Sequence, residues 1–460
     1  MKYLPTSFAL FACALLATSC QSLRSPKTAR PSEGTPAHII FFIGDGMGAM
    51  QAQSTREVLA TNKKGFRLSF EDFPVVATQH TRSASSPVTD SAASSTAMAC
   101  GVRTTNGYLG KTPDGSNLVS IASIAHERGW KVGLLTSQSM DHATPAGFYA
   151  HVTNRRDYAT ISCQLAKTPF DFIGGGALRG RYDGLRAPPS EGYGTDYLAC
   201  CASNGYLVVK SREAYPHIAP TARVFAVTEK VLPKFESAFH AKDSGEMRLR
   251  DFTEAALNHF GESPFFLMVE GGQIDTACHR NDFGTMVRET EEFDEAVRVA
   301  LDYARTHSDV LIIVTADHET GGLTRIEPAP ENIDPALVLG QREDGPTIFE
   351  TLLPLAQVKA PFNDVQKALA YYFGKNAFTQ SELRSLSRLW EEEHNAYGFT
   401  MEAAKFFAAR AGYVFTAGSH HTGTDVPVYV YGTGAEKFAG VYDNTSLFDR
   451  FKQLIEHPGK

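Results

Sequence analysis

Six short apolar runs punctuate the chain at 38–43, 132–136, 170–173, 265–269, 310–315 and 426–431. They are rich in β-branched and aromatic residues. Runs that stay apolar at successive positions read as strands covered on both faces, as in a parallel sheet. Between them the period changes. Phe283, Met286, Val287, Thr290, Phe293, Val297, Ala300, Leu301 and Ala304 recur at helical spacing and predict one long amphipathic helix. Alternating strands and helices predict an α/β fold: a doubly wound, mostly parallel central sheet with helices on both faces. The main domain is expected over 38–460, with an insertion over about 326–415 that carries helical patterns at 381–395 and 401–410. No internal repeat is visible.

The residues that leave these strands carry the chemistry. Run 38–43 exits into Gly44-Asp45-Gly46-Met47-Gly48, and run 132–136 leads to His142, Thr144 and Arg155. Run 265–269 exits into Glu270-Gly271-Gly272-Gln273-Ile274-Asp275 and then His279, and run 310–315 into Ala316-Asp317-His318-Glu319. Open α/β sheets bind ligands outside the carboxyl ends of their strands. Taken singly, Gly44-Asp45-Gly46 is a tight turn, Asp317-His318 a cap, and Asp275 with His279 one helix face. Taken together, the four carboxylates Asp45, Glu270, Asp275 and Asp317 with the two histidines His279 and His318 at strand exits point to a metal centre. Mixed His and Asp ligands suit zinc, whereas Asp, Glu and Thr with water suit magnesium.

A nucleophile candidate lies elsewhere. The segment from Thr89-Asp90-Ser91 to Ala99 follows Pro87 and consists of small residues. It predicts a helix N-terminus with Ser91 in the first turn, where backbone N–H groups and the dipole favour an anion. Beside a divalent metal, such a serine could ionise and attack phosphorus. Read alone, Ser91 is a capping residue. No Gly-x-Ser-x-Gly surrounds it, which disfavours a serine triad.

Composition narrows the class. The 460 residues are 43% hydrophobic and 21% charged, which excludes a disordered chain. A net charge of −7 gives no support for nucleic-acid recognition. No apolar run reaches the roughly 18 residues of a membrane span. The N-terminus reads as an export signal over 1–19: Lys2, an apolar stretch over 8–17, and a small-residue exit at Thr18-Ser19-Cys20. Residues 15–20 resemble a relaxed bacterial lipobox, with Leu16 one place early. This makes Cys20 the expected lipidation site and 20–37 a tether, in a periplasmic or outer-membrane-anchored lipoprotein attached to the membrane through that lipid. Five cysteines would remain in the mature domain: Cys100, Cys163, Cys200, Cys201 and Cys278. Export permits disulfides, and Cys163 with Cys200 or Cys201 is a plausible pair.

The motifs, taken in order, resemble the alkaline phosphatases across nearly the whole mature chain. They are Gly44 to Gly48, Thr89 to Ala97, Gly101-Val102-Arg103-Thr104-Thr105-Asn106-Gly107, Ala143-Thr144-Pro145-Ala146, His151-Val152-Thr153-Asn154-Arg155, Val269 to Asp275 with His279, Thr315 to His318, and His421-Thr422-Gly423. The resemblance implies two zinc ions and one magnesium. Asp275, His279 and His421 match the ligands of the first zinc, and Asp45, Asp317 and His318 those of the second. Asp45, Thr144 and Glu270 match the magnesium ligands. Ser91 matches the nucleophile that becomes phosphoserine, Arg155 the arginine that grips phosphate, and Asp90 its neighbour in the substrate site. His420 competes with His421, but His421 holds the place before Thr422-Gly423. A homodimer, phosphate monoester substrates and an alkaline pH optimum are implied as well.

Two positions depart from the family pattern. His142 stands where some relatives carry Asp, and Thr276 where some carry Lys or a ring; both are expected to act on phosphate or magnesium through water. Without a cation at Thr276, phosphate would be held less tightly and released faster. The runner-up reading is a phosphodiesterase or nucleotide pyrophosphatase of the same superfamily. Arg155 and the third metal set favour monoesters, because they serve a dianionic group. A sulfatase is disfavoured, because it needs Cys or Ser followed by x-Pro-x-Arg and Ser85-Ser86-Pro87-Val88-Thr89 lacks the Arg; a non-catalytic phosphate-capturing lipoprotein would have lost a ligand or the nucleophile.

Overall fold

The computed structural model describes residues 34–179, 197–228, 246–325 and 334–456. The expected signal, Cys20 and most of the tether lie outside them. Ten strands form one sheet in the order Gly440–Asp443, Val75–His80, Val426–Gly432, Val310–Ala316, His38–Gly44, Phe265–Gly271, Lys131–Ser139, Phe172–Gly176, Arg223–Val227 and Tyr206–Val209. Only Val426–Gly432 runs antiparallel to its neighbours. The predicted doubly wound, mostly parallel sheet is therefore the observed one.

The central strand His38–Gly44 is buried at every position. Its side chains alternate: Ile40 and Phe42 enter one core, and Ile39, Phe41 and Ile43 the other. Helices cover both. The predicted long helix is Phe283–Ala304, and it packs with Ala49–Asn62 and Leu249–Phe260 on the first face. Phe293 meets Phe42 there, edge to face at 5.8 Å. Ser91–Cys100, Ile121–Glu127 and Ser446–Glu456 cover the second face, where Phe451 lies 5.0 Å from Phe41. Each such buried ring contributes roughly 1.5–3 kcal/mol through the hydrophobic effect.

The register is what positions the site. Gly44 pairs with Gly271 on one side and Ala316 on the other. Glu270 lies level with Ile43 and Thr136. The exits of His38–Gly44, Phe265–Gly271 and Val310–Ala316 thus reach a common level, and Lys131–Ser139 runs past it.

The helical segment expected as an insertion leaves through Leu323–Arg325 and returns through Tyr413–Phe415, which pair antiparallel. Its helices are Gly345–Gln357, Phe362–Tyr372, Gln380–Glu393 and Ala396–Arg410. Trp390 is fully buried among them and donates to the Ala360 carbonyl at 2.7 Å. The last of these helices packs on Phe283–Ala304, so the segment shares the first-face core. Cys200 and Cys201 are both unbridged thiols, so the expected pairing with Cys163 is not formed. Among the described residues no helix is long and apolar enough to cross a membrane.

Candidate active site

Ser91 is the first residue of the helix Ser91–Cys100 and is buried. Asp90 caps that helix: its Oδ1 accepts from Ala93 N at 3.0 Å. Its Oδ2 accepts from Gly107 N at 3.0 Å and from Arg155 Nη1 at 3.1 Å. One carboxylate therefore fixes both the helix start and the guanidinium. The other end of the Arg155 fork, Nη2, is 3.3 Å from His142 Nε2. Ser91 Oγ lies 3.3 Å from His318 Nε2.

Three groups of side chains around Ser91 could each hold a metal ion: Asp275, His279 and His421; Asp45, Asp275 and His318; and Asp45, His142 and Glu270. In the first, His279 Nε2 is 3.1 Å from Asp275 Oδ2 and 3.1 Å from His421 Nε2. The opposite nitrogens are spent on backbone. His279 Nδ1 meets the Ser419 carbonyl at 2.7 Å and His421 Nδ1 the Thr89 carbonyl at 2.9 Å. Such bonds fix a ring's tautomer and leave Nε2 for a cation. Asp317 joins the second group through its Oδ2, 3.3 Å from His318 Nε2, while its Oδ1 accepts from Gly46 N at 3.1 Å. Thr144 reaches the third, with Oγ1 3.3 Å from Asp45 Oδ2.

Every metal-ligand candidate read from the sequence thus lies in one neighbourhood. His142, expected to act through water, has its Nδ1 3.7 Å from Glu270 and 4.0 Å from Asp45, where the three could share one ion. Thr276 accepts from Gln138 Nε2 at 2.7 Å. Two contributors escaped the sequence reading. Thr320 donates to Asp275 at 2.6 Å and lies 3.2 Å from His318 Nδ1. Thr136 donates to Glu270 from the adjacent strand. Neither has a sequence signal, because each contact depends on the sheet register.

The electrostatics ask for cations. Asp45 Oδ1, Asp317 Oδ2, Glu270 Oε1 and His142 Nδ1 are buried and have no hydrogen-bond partner. Orphans of this kind are rare in folded proteins. Burial, followed by Asp317, Asp275 and Glu270, drives the Asp45 carboxyl well above its usual range. Burial and the Asp275 charge push Asp317 up to about 8. Burial also acts to raise Asp275, but His279, His421 and His318 outweigh it and hold its carboxyl well below the ordinary value. His318 is driven well below its own by burial and then by His421. Divalent cations fit this donor set: they would neutralise the crowded acids and fill the orphaned atoms.

Relatives agree with the geometry. A family model described as alkaline phosphatase matches residues 37–169 and 234–457. Alkaline phosphatase 3 of Bacillus subtilis is 30% identical over 435 residues, covering 91% of this chain and 89% of its own. A cold-active alkaline phosphatase from a psychrophilic Shewanella superposes with a TM-score of 0.76 at 27% identity, over 91% of this chain and 99% of that one. A mutant of the alkaline phosphatase of the Antarctic bacterium TAB5, with histidine changed to aspartate and Mg bound in its M3 site, gives 0.64 at 25% identity, over 92% and 99%. With strand order, metal-competent clusters and relatives in agreement, this chain belongs to the alkaline phosphatase family, enzymes that hydrolyse phosphoric monoesters.

Proposed function

We propose that the protein hydrolyses phosphate monoesters through a phosphoserine on Ser91, with two zinc ions and one magnesium. The observation that carries this is the position of Ser91 Oγ, at a helix N-terminus and 3.3 Å from His318 Nε2 amid the three clusters. Asp275, His279 and His421 would hold the first zinc. Asp45, Asp317 and His318 would hold the second, and Asp45, Thr144 and Glu270 the magnesium, with His142 beside it. Bound there, the cations would lower the pKa of the Ser91 hydroxyl and of water and offset charge on the reacting oxygens.

The chain's own groups do the rest. Ser91 Oγ attacks phosphorus as the bond to the alcohol oxygen breaks, and the alcohol departs with a proton. Water then attacks the phosphoserine, releasing inorganic phosphate and restoring the hydroxyl. The Arg155 fork, steadied by Asp90, is matched to two non-bridging oxygens. N–H groups of the first turn at Ser91 face the same anion. We further propose export, lipidation at Cys20 and a homodimeric assembly; these rest on the N-terminal pattern and on family resemblance.

The test pairs a monoester with a diester, with and without chelator, and looks for phosphorylated Ser91 peptide trapped at low pH. Monoesterase activity lost with the metal, together with phospho-Ser91, is the expected result. Preference for the diester, or activity that survives full metal removal, overturns the reading.

A further inference from the structure

A second guanidinium, that of Arg179, acts on His142 alongside that of Arg155. Arg179 follows the strand Phe172–Gly176, so it belongs to the same carboxyl edge of the sheet as the metal-competent residues. Its Nη2 donates to Gln138 Oε1 at 3.1 Å, and its Nη1 donates to the Tyr158 hydroxyl at 3.1 Å, with the guanidinium over the Tyr158 ring at 5.3 Å. The Gln138 amide is in turn fastened to Thr276 Oγ1 at 2.7 Å and to the Gly272 carbonyl at 3.2 Å. This network ties Arg179 to the segment that carries Asp275.

Three features set it apart from an ordinary surface arginine. Among the described residues no carboxylate pairs with it, although both of its held nitrogens meet neutral partners. Its Nε is buried and has no acceptor. Its charge acts on His142 together with that of Arg155. A guanidinium held in place by neutral groups, with only two of its five N–H donors engaged at the edge of a reaction centre, is arranged for an anion that arrives from outside. Arg155 is already committed to Asp90 and faces the Ser91 side, where the transferred phosphoryl group belongs. Arg179 is fastened instead through Gln138 to Thr276.

We propose that Arg179 is a specificity-determining residue that receives a second anionic group, a carboxylate or phosphate, on the alcohol portion of the substrate. The proposal deepens the monoesterase reading and rests on it. It also supplies a cation next to the position where Thr276 offers none.

Wild type, R179Q and R179K would be compared on glycerol 2-phosphate, whose alcohol is neutral, and 3-phosphoglycerate, whose alcohol carries a carboxylate. R179Q should lower kcat/KM for 3-phosphoglycerate by about tenfold or more, chiefly through KM, and change glycerol 2-phosphate by less than about twofold. R179K should recover part of the loss, since it restores charge without the fork, and salt should narrow the gap between wild type and R179Q. Equal losses on both esters, or no loss on 3-phosphoglycerate, overturn the assignment while leaving the monoesterase reading intact. A wild type inactive toward both esters overturns that reading and the Arg179 assignment with it.

Discussion

The Nε2 atoms of His279 and His421 face one another across 3.1 Å, while each ring's Nδ1 is engaged by a carbonyl. With Asp275 beside them, the arrangement requires one positive charge at its centre. A proton can serve, and so can a metal ion. Replacing His421 by Ala should weaken metal retention by at least the roughly 10–100-fold that loss of a ligand's supporting hydrogen bond costs. Metal content of the purified variant, measured by mass spectrometry after dialysis, checks this. Retention equal to wild type would remove His421 from the ligand set.

His142 stands among Asp45 and Glu270, with its pKa lowered by burial against the pull of Glu270. An imidazole there makes the cluster a mixed nitrogen and oxygen site, which magnesium does not prefer. His142→Asp should therefore raise magnesium affinity here, read as a shift of the magnesium activation midpoint to lower concentration. An unmoved midpoint would count against direct participation of His142.

Glu319 is a hidden support. Its buried carboxylate accepts from Gln51 Nε2 at 2.7 Å, Thr422 Oγ1 at 2.5 Å, Gly322 N at 3.2 Å and Leu323 N at 3.1 Å. It thereby ties the segment after His318 to the short strand that carries His421, which pairs with Thr320. Glu319→Ala leaves these donors without an acceptor and should cost roughly 2–4 kcal/mol in urea unfolding. A loss below about 0.5 kcal/mol, the range of ordinary surface changes, would contradict the assigned role.

Asp344 caps the helix Gly345–Gln357, and burial, with Asp282 nearby, pushes its pKa from 3.8 to about 6. For an acid held protonated by the fold, the sign is clear. Its contribution to stability is fully present below the unfolded value and is lost as pH rises toward the folded one. The penalty therefore develops over the window from 3.8 to about 6 and is on the order of 2–3 kcal/mol above it. Asp344→Asn keeps an acceptor for Thr347 N and removes the charge. The variant should gain stability over wild type at pH 8 and much less at pH 4, as thermal unfolding at the two values will show. A gain that does not grow with pH would refute the account.

Much of this was legible in the sequence, and the exceptions have physical causes. The helix Phe283–Ala304 is amphipathic over 22 residues, so its period alone locates it. The strands buried on both faces announce themselves through apolar runs. Val75–His80 does not, because it is half-buried and ends in Thr78-Gln79-His80. Phe172–Gly176 was expected two residues earlier, since three of its five residues are glycine. Those glycines answer to neighbours: a Cβ on Gly175 would meet Thr136 Cγ2 at 2.7 Å. At the site, ligand types and strand exits could be read in order along the chain. Thr320, Glu319 and Arg179 could not, because what they do is defined by partners brought close only by tertiary structure.

The pairing of Gly44 with both Gly271 and Ala316 has a consequence for how the enzyme matures. A slip of one residue in any of these strands would carry its ligands about 3.3 Å out of line and turn them to the opposite face. The sheet is thus the ruler against which the cations are spaced. Its three middle strands, His38–Gly44, Phe265–Gly271 and Val310–Ala316, are far apart in the chain, so no early fragment can assemble the cage. Metal uptake should accordingly be a late event, reporting that the whole sheet has closed in register.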